Sequence, residues 1–196
     1  MISLCLGITA FALYFLYDVN SFLWQRRLPR TFFAAGTLLL AAALALDIVN
    51  AALLRAFSVA GDWLWLLAAA AMFAALIYSL FFALPFEATY QTQENGRHVY
   101  DKGVYALCRH PGILCFFAMY LFWGLAALPT GFLWCGMAFS GLNLAYAWFQ
   151  DRVTFPKTFC DYPDYRRKAP FLLPTAASFH RAVKTWGYPY EKEEDL

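Results

Sequence analysis

Five long runs of apolar residues, nearly free of internal charge, constrain this chain more than anything else in it. They extend over 2–24, 31–54, 63–86, 111–128 and 130–149. About 20 such residues in helical form cross the hydrocarbon of a bilayer, and a helix satisfies its own backbone groups where water cannot. The runs therefore predict an all-α polytopic membrane protein: a single integral membrane domain over 1–196 with five transmembrane helices and an amphipathic cytoplasmic C-terminal segment over 150–196. Composition agrees, with 62% apolar and 14% charged residues against soluble averages of roughly 45–50% and about 25%. The first run lacks a basic start and a convincing small-residue cleavage site, and it carries Asp18 and Asn20 near its end. It is expected to be a retained span rather than a secretory signal.

The position of the basic residues sets the expected orientation. Arg26, Arg27 and Arg30 follow the first run, Arg97, Lys102 and Arg109 the third, and Lys157, Arg166, Arg167 and Lys168 the fifth, while the other two turns hold Arg55 alone and nothing. Basic loops stay cytoplasmic, which puts the N-terminus outside and the C-terminus inside, as for a protein of a bacterial or archaeal cell membrane. A net charge of +2 argues against nucleic acid as a partner; oligomeric state is not legible. Cys5, Cys108, Cys115, Cys135 and Cys160 show no paired spacing, so neither a disulfide framework nor a Cys-pair metal site is expected. Asp18, expected near the cytoplasmic interface, and Asp47, expected in the outer third, are the charged exceptions within spans, and such carboxylates face the bundle.

Between Glu87 and His110 the chain turns polar, with turn signals at "ENG" and "DKG". Pro111 then opens the fourth run, where a missing N–H costs a helix nothing. Arg109 and His110 thereby stand at the positive end of a helix, where an anionic ligand group is favoured. The turn "LPT" is short enough to make spans four and five an antiparallel hairpin, so "CRHP" at its start and "FQDR" at its end are expected on one side of the membrane. The tail "FCDYPDYRRKAPFLLP" alternates charge with Phe and Tyr, as a segment lying on the cytoplasmic face would.

"DKGVYALCRHPGIL", two spans, an acid and "YPDYRRKAPFLLP" resemble the isoprenylcysteine carboxyl methyltransferase and phospholipid methyltransferase superfamily of membrane enzymes. The matches are Gly103, Tyr105, Arg109, His110 and Pro111, then Asp151, then Tyr162, Tyr165, Pro170 and Pro174. The resemblance covers roughly the last 90 residues. It implies S-adenosyl-L-methionine as cofactor and a lipophilic acceptor that enters sideways from the bilayer: a prenylcysteine carboxylate, a phospholipid amine or similar. Arg109, His110 and Asp151 are the catalytic candidates; Gly103, Tyr105, Arg109, His110, Pro111, Gln150, Asp151, Tyr162 and Tyr165 are the cofactor-binding ones. An arginine can grip the donor's carboxylate with two parallel hydrogen bonds, and tyrosines can face a sulfonium cation. The chain departs from the pattern at Ile113 and Cys115 after the proline, at Gln150 in place of the first acid, and at Arg97, with His98 one place from the expected histidine.

Two further functions fit parts of the same sequence. The tail is also similar to the ends of steroid 5-alpha-reductases and sterol reductases, which use NADPH; Arg109, Arg166 and Arg167 would then meet phosphates. A non-catalytic lipid-binding or assembly module of the same fold would account for Ile113, Cys115 and Gln150.

Overall fold

The structure, a computed structural model, describes residues 1–24, 31–54, 62–84, 97–128 and 131–187. Among these residues every regular element is a helix. In chain order they are α1 (Ile2–Val19), α2 (Phe32–Leu53), α3 (Asp62–Ile77), α4 (Val104–Leu107), α5 (Pro111–Ala126), α6 (Phe132–Phe149), α7 (Phe155–Thr158), α8 (Tyr162–Lys168) and α9 (Ala176–Lys184). The five apolar runs thus correspond to α1, α2, α3, α5 and α6. Three helices are long and apolar enough to cross a membrane: α1, α2, and α3 together with the turn that prolongs it to Phe82. The count of five crossings is therefore carried only in part. α5 is apolar but has 16 residues, and α6 interrupts its apolar face with Ser140, Asn143 and Tyr146. Calling this a membrane protein rests on those three helices.

α1, α3 and α6 each run on into one π-helical turn, over Asn20–Trp24, Tyr78–Phe82 and Gln150–Thr154. These wide turns close i→i+5 hydrogen bonds and re-aim the chain at the helix end; the Ala83 N–H donates to the Tyr78 carbonyl at 2.8 Å.

The chain divides into two compact units built from interleaved stretches, 1–73 with 115–154 and 74–114 with 155–196. The first is a bundle in which α1 lies against both α2 and α6. Small residues set these contacts, as expected where helices in lipid gain mainly from close backbone approach. A methyl group on Gly36 of α2 would lie 2.9 Å from the carbonyl oxygen of Ala10 in α1, and one on Gly136 of α6 would meet the Tyr120 side chain at 2.8 Å. Tyr14 stacks on Tyr146 at 5.5 Å and its hydroxyl donates to Thr37 Oγ1 at 3.1 Å. The buried Asp18 carboxylate accepts from Thr154 Oγ1 at 3.3 Å and is also hydrogen-bonded by the Gln150 side chain. A buried acid at the end of an apolar helix is thus held by polar groups of the π-turn, which lowers its burial cost. Asp47, also buried, borders a cleft of about 420 Å³ with Ser3, Asn50 and Cys135.

The second unit is organised around short helices. Its core is Phe159, Tyr162, Tyr165 and Ala169, with Val99 and Phe155 packed against them. α9 begins with a capping box in which Thr175 Oγ1 accepts from the Ser178 N–H at 3.2 Å and Ser178 Oγ accepts from the Thr175 N–H at 2.9 Å. α9 packs on α4 through a narrow face including Ser178 and Ala182, and it leaves Phe179, Val183 and the following Trp186 outward. That is the amphipathic character expected of the tail. Residues 188–196 lie outside the described residues.

Candidate functional site

The Arg-His-Pro turn and the C-terminal segment meet within the second unit. The Arg109 N–H donates to the Pro170 carbonyl at 2.9 Å. Arg109 Nη1 donates to the carbonyls of Ala169 at 2.6 Å and Arg166 at 3.2 Å. Those carbonyls lie at the C-terminal end of α8, where a cation compensates acceptors that no longer have helical partners. The guanidinium also sits 5.7 Å from the centre of the Phe171 ring. One arginine therefore ties the start of α5 to three carbonyls of the tail.

His110, buried, stands between two aromatic rings. It lies nearly parallel to Phe155 at 5.8 Å and edge-on to Phe171 at 5.0 Å. Pro111 is the first residue of α5, as its missing donor requires. Gly112 brings α5 close to the turn after α3, since a methyl group there would touch Ser79 Oγ at 3.4 Å. Gly103 has a φ of +57°, a conformation that side-chain-bearing residues adopt at a cost. Its N–H donates to Thr185 Oγ1 at 3.0 Å, which fastens the end of α9 to the segment that leads into Arg109.

The tyrosines of the pattern form a relay of contacts rather than an open wall. The Tyr165 hydroxyl donates to the Tyr105 carbonyl at 2.8 Å, and the Tyr105 hydroxyl donates to the Ser79 carbonyl at 2.8 Å. Tyr162, 1% exposed, packs edge-on to Phe155 and Tyr165. Tyr162 and Tyr165 are thus core residues that hold the tail in shape. A spacing of three on a short helix reads the same for a core face and a ligand face.

Burial pushes the Tyr165 phenol well above its ordinary range, with the neighbouring Tyr162 and Tyr105 adding to the effect and Arg109 opposing it. A raised folded-state pKa means that the unfolded chain loses this proton first, so stability is intact below the ordinary phenol value of about 10 and is lost as pH rises above it. Tyr165→Phe is expected to cost about 1–3 kcal/mol at neutral pH, because the part-buried Tyr105 carbonyl loses its donor. The same variant is expected to show a shallower fall in thermal midpoint across the interval around pH 10. Thermal unfolding in detergent at a series of alkaline pH values reads both.

Of the remaining candidates, Gln150 and Asp151 belong to the first unit, where Asp151 is buried in the π-turn that closes α6. The structure also assembles a group that sequence spacing did not announce: His98, Cys160 and Asp161, whose ligand atoms all lie within 4.8 Å of one another. His98 and Cys160 are 62 positions apart, and nothing short of the folded tail pairs them. No protein-family model matches the chain, and no curated protein or solved structure matches it either.

Proposed function

We propose that the protein transfers a methyl group from S-adenosyl-L-methionine to a lipophilic acceptor, with five membrane crossings, the N-terminus outside and the chemistry at the cytoplasmic face. The observation that carries this is the clasp between Arg-His-Pro and the Ala169–Phe171 stretch, two motifs about 60 residues apart that the proposed activity requires to act together. The donor supplies a methyl group already activated by its sulfonium, so holding the reactants in line provides most of the rate. The residues present suit such a donor. Aromatic faces at Phe155 and Phe171 flank an imidazole, and a guanidinium stands beside them. Rings of this kind favour a cationic sulfonium, and the guanidinium favours a carboxylate.

Within this proposal Arg109 and His110 touch the donor, while Gly103, Tyr105, Tyr162 and Tyr165 are positioning residues that fix the clasp. The outward apolar face of α9, with Phe179, Val183 and Trp186, supports a location at the lipid surface.

Calorimetric titration of the detergent-purified chain with S-adenosylhomocysteine and, separately, NADPH tests this. Saturable heat is expected with S-adenosylhomocysteine. Heat with NADPH alone would make the protein a reductase, and heat with neither would leave a lipid-binding module.

A further inference from the structure

We infer that His98, Cys160 and Asp161 form a binding site for a divalent ion of the zinc class, separate from the proposed methyl-transfer residues. His98 Nδ1 lies 3.4 Å from Asp161 Oδ2, and Cys160 Sγ lies 3.6 Å from each ring nitrogen of His98. The His98–Asp161 separation is long for a hydrogen bond, since good N–H···O ones run about 2.7–3.2 Å, while the thiol–imidazole separations are ordinary for sulfur. As edges of a coordination tetrahedron they fit. Ligands at zinc distances of about 2.3 Å for sulfur and about 2.0–2.1 Å for nitrogen and oxygen are about 3.5–3.6 Å apart for S···N and about 3.3–3.4 Å apart for N···O.

The surroundings hold the three groups in place. The Val99 N–H donates to Asp161 Oδ1 at 2.9 Å, which anchors one carboxylate oxygen and leaves Oδ2 directed at the imidazole. The Cys160 N–H donates to the Arg97 carbonyl at 3.0 Å, and its thiol donates to the same oxygen at 3.3 Å. Outer contacts of this kind orient metal ligands. Thiolate, imidazole and carboxylate together suit zinc among the common divalent ions. Cys160 is exposed while His98 and Asp161 are half-buried, so an ion has a way in and water can take the fourth position. Binding replaces the thiol proton, which leaves to solvent. The ion would staple residues 97–99 to the link between α7 and α8.

The test uses the full chain in detergent, titrated with Co2+ alone and then with Zn2+. Wild type is expected to develop the near-ultraviolet absorption of a thiolate–cobalt bond, which Zn2+ abolishes, and to gain in thermal midpoint with Zn2+. Cys160→Ser and His98→Ala should lose the band and the gain, Asp161→Asn should bind at least about tenfold more weakly, and Cys5→Ser, at the other exposed thiol, should behave as wild type. Absence of the band in wild type, or its persistence in Cys160→Ser, overturns the site. Neither result bears on S-adenosylhomocysteine binding, so the two proposals fail separately.

Discussion

Arg109→Ala is expected to loosen the 166–171 stretch at the start of α5, where the backbone bond to Pro170 persists, and to lower stability by about 2–4 kcal/mol. Hydrogen bonds from a charged donor contribute about 1.5–3 kcal/mol each, and Nη1 makes two, to Ala169 and Arg166. The upper end of their sum is discounted because the side chain is only half-buried. The truncation also removes the packing of the guanidinium on Phe171, the ring that His110 meets edge-on. Arg109→Lys should recover part of the loss, since an ammonium keeps the charge but cannot offer a planar fork to two carbonyls. Thermal unfolding in detergent measures the stability, and limited proteolysis reports loosening of the tail. If Arg109 also touches the donor, S-adenosylhomocysteine affinity should fall further than tail loosening alone requires. Tyr165→Phe separates the two effects, because it loosens the same segment without touching the guanidinium. An Arg109→Ala protein with an unchanged midpoint and a protected tail would remove the clasp from the account.

Hydropathy located every long helix among the described residues, because each is an apolar run almost without charge. The boundaries of α1, α2, α5 and α6 fall within a few residues of the apolar runs. Pro111 and Gly103 were legible for the same kind of local reason: each occupies a backbone position that other residues fill at a cost. The π-turns were not legible. They occur where Asn20, Ser79 and Gln150 offer polar side chains at the end of an apolar helix, a composition equally compatible with an ordinary fray. Nor did the sequence distinguish Arg109 as a ligand-gripping side chain from Arg109 as a cap on α8. That depends on where the carbonyls of residues 166–170 come to rest, a tertiary fact. His98, Cys160 and Asp161 were missed because metal-site patterns rely on short ligand spacings, and this cluster joins residues from the two separate stretches of the second unit. The departures at Ile113 and Cys115 do find a local setting: Ile113 is buried and Cys115 half-buried on α5, where each packs as an apolar side chain of the helix.

Gly7→Leu is expected to be the most damaging single substitution in the first unit. A methyl group at Gly7 already falls inside the ring of Phe139, with Cδ1 2.7 Å away. Phe139 is fully buried and packs edge-on to Tyr120, so the ring has nowhere to turn. α1 would have to move away from α6, and α1 also carries the contacts to α2 through Gly36 and Tyr14. Overpacking of a tight core costs about 1–3 kcal/mol, occasionally more, and a branched side chain at this position should reach or exceed about 3 kcal/mol on that scale. Gly141→Ala in α6 is the contrast, since a methyl group there meets nothing within 4 Å and should leave stability unchanged or raise it by up to about 1 kcal/mol through helix propensity. The cause is separable from a general intolerance of α1 to bulk. With Phe139→Ala in the background the ring is gone, and Gly7→Leu should then cost markedly less than in wild type, a coupling of the size that touching residues show. Thermal midpoints of the four proteins in one detergent complete the cycle; an equal cost in both backgrounds would mean that the α1–α6 approach is not what makes glycine necessary at position 7.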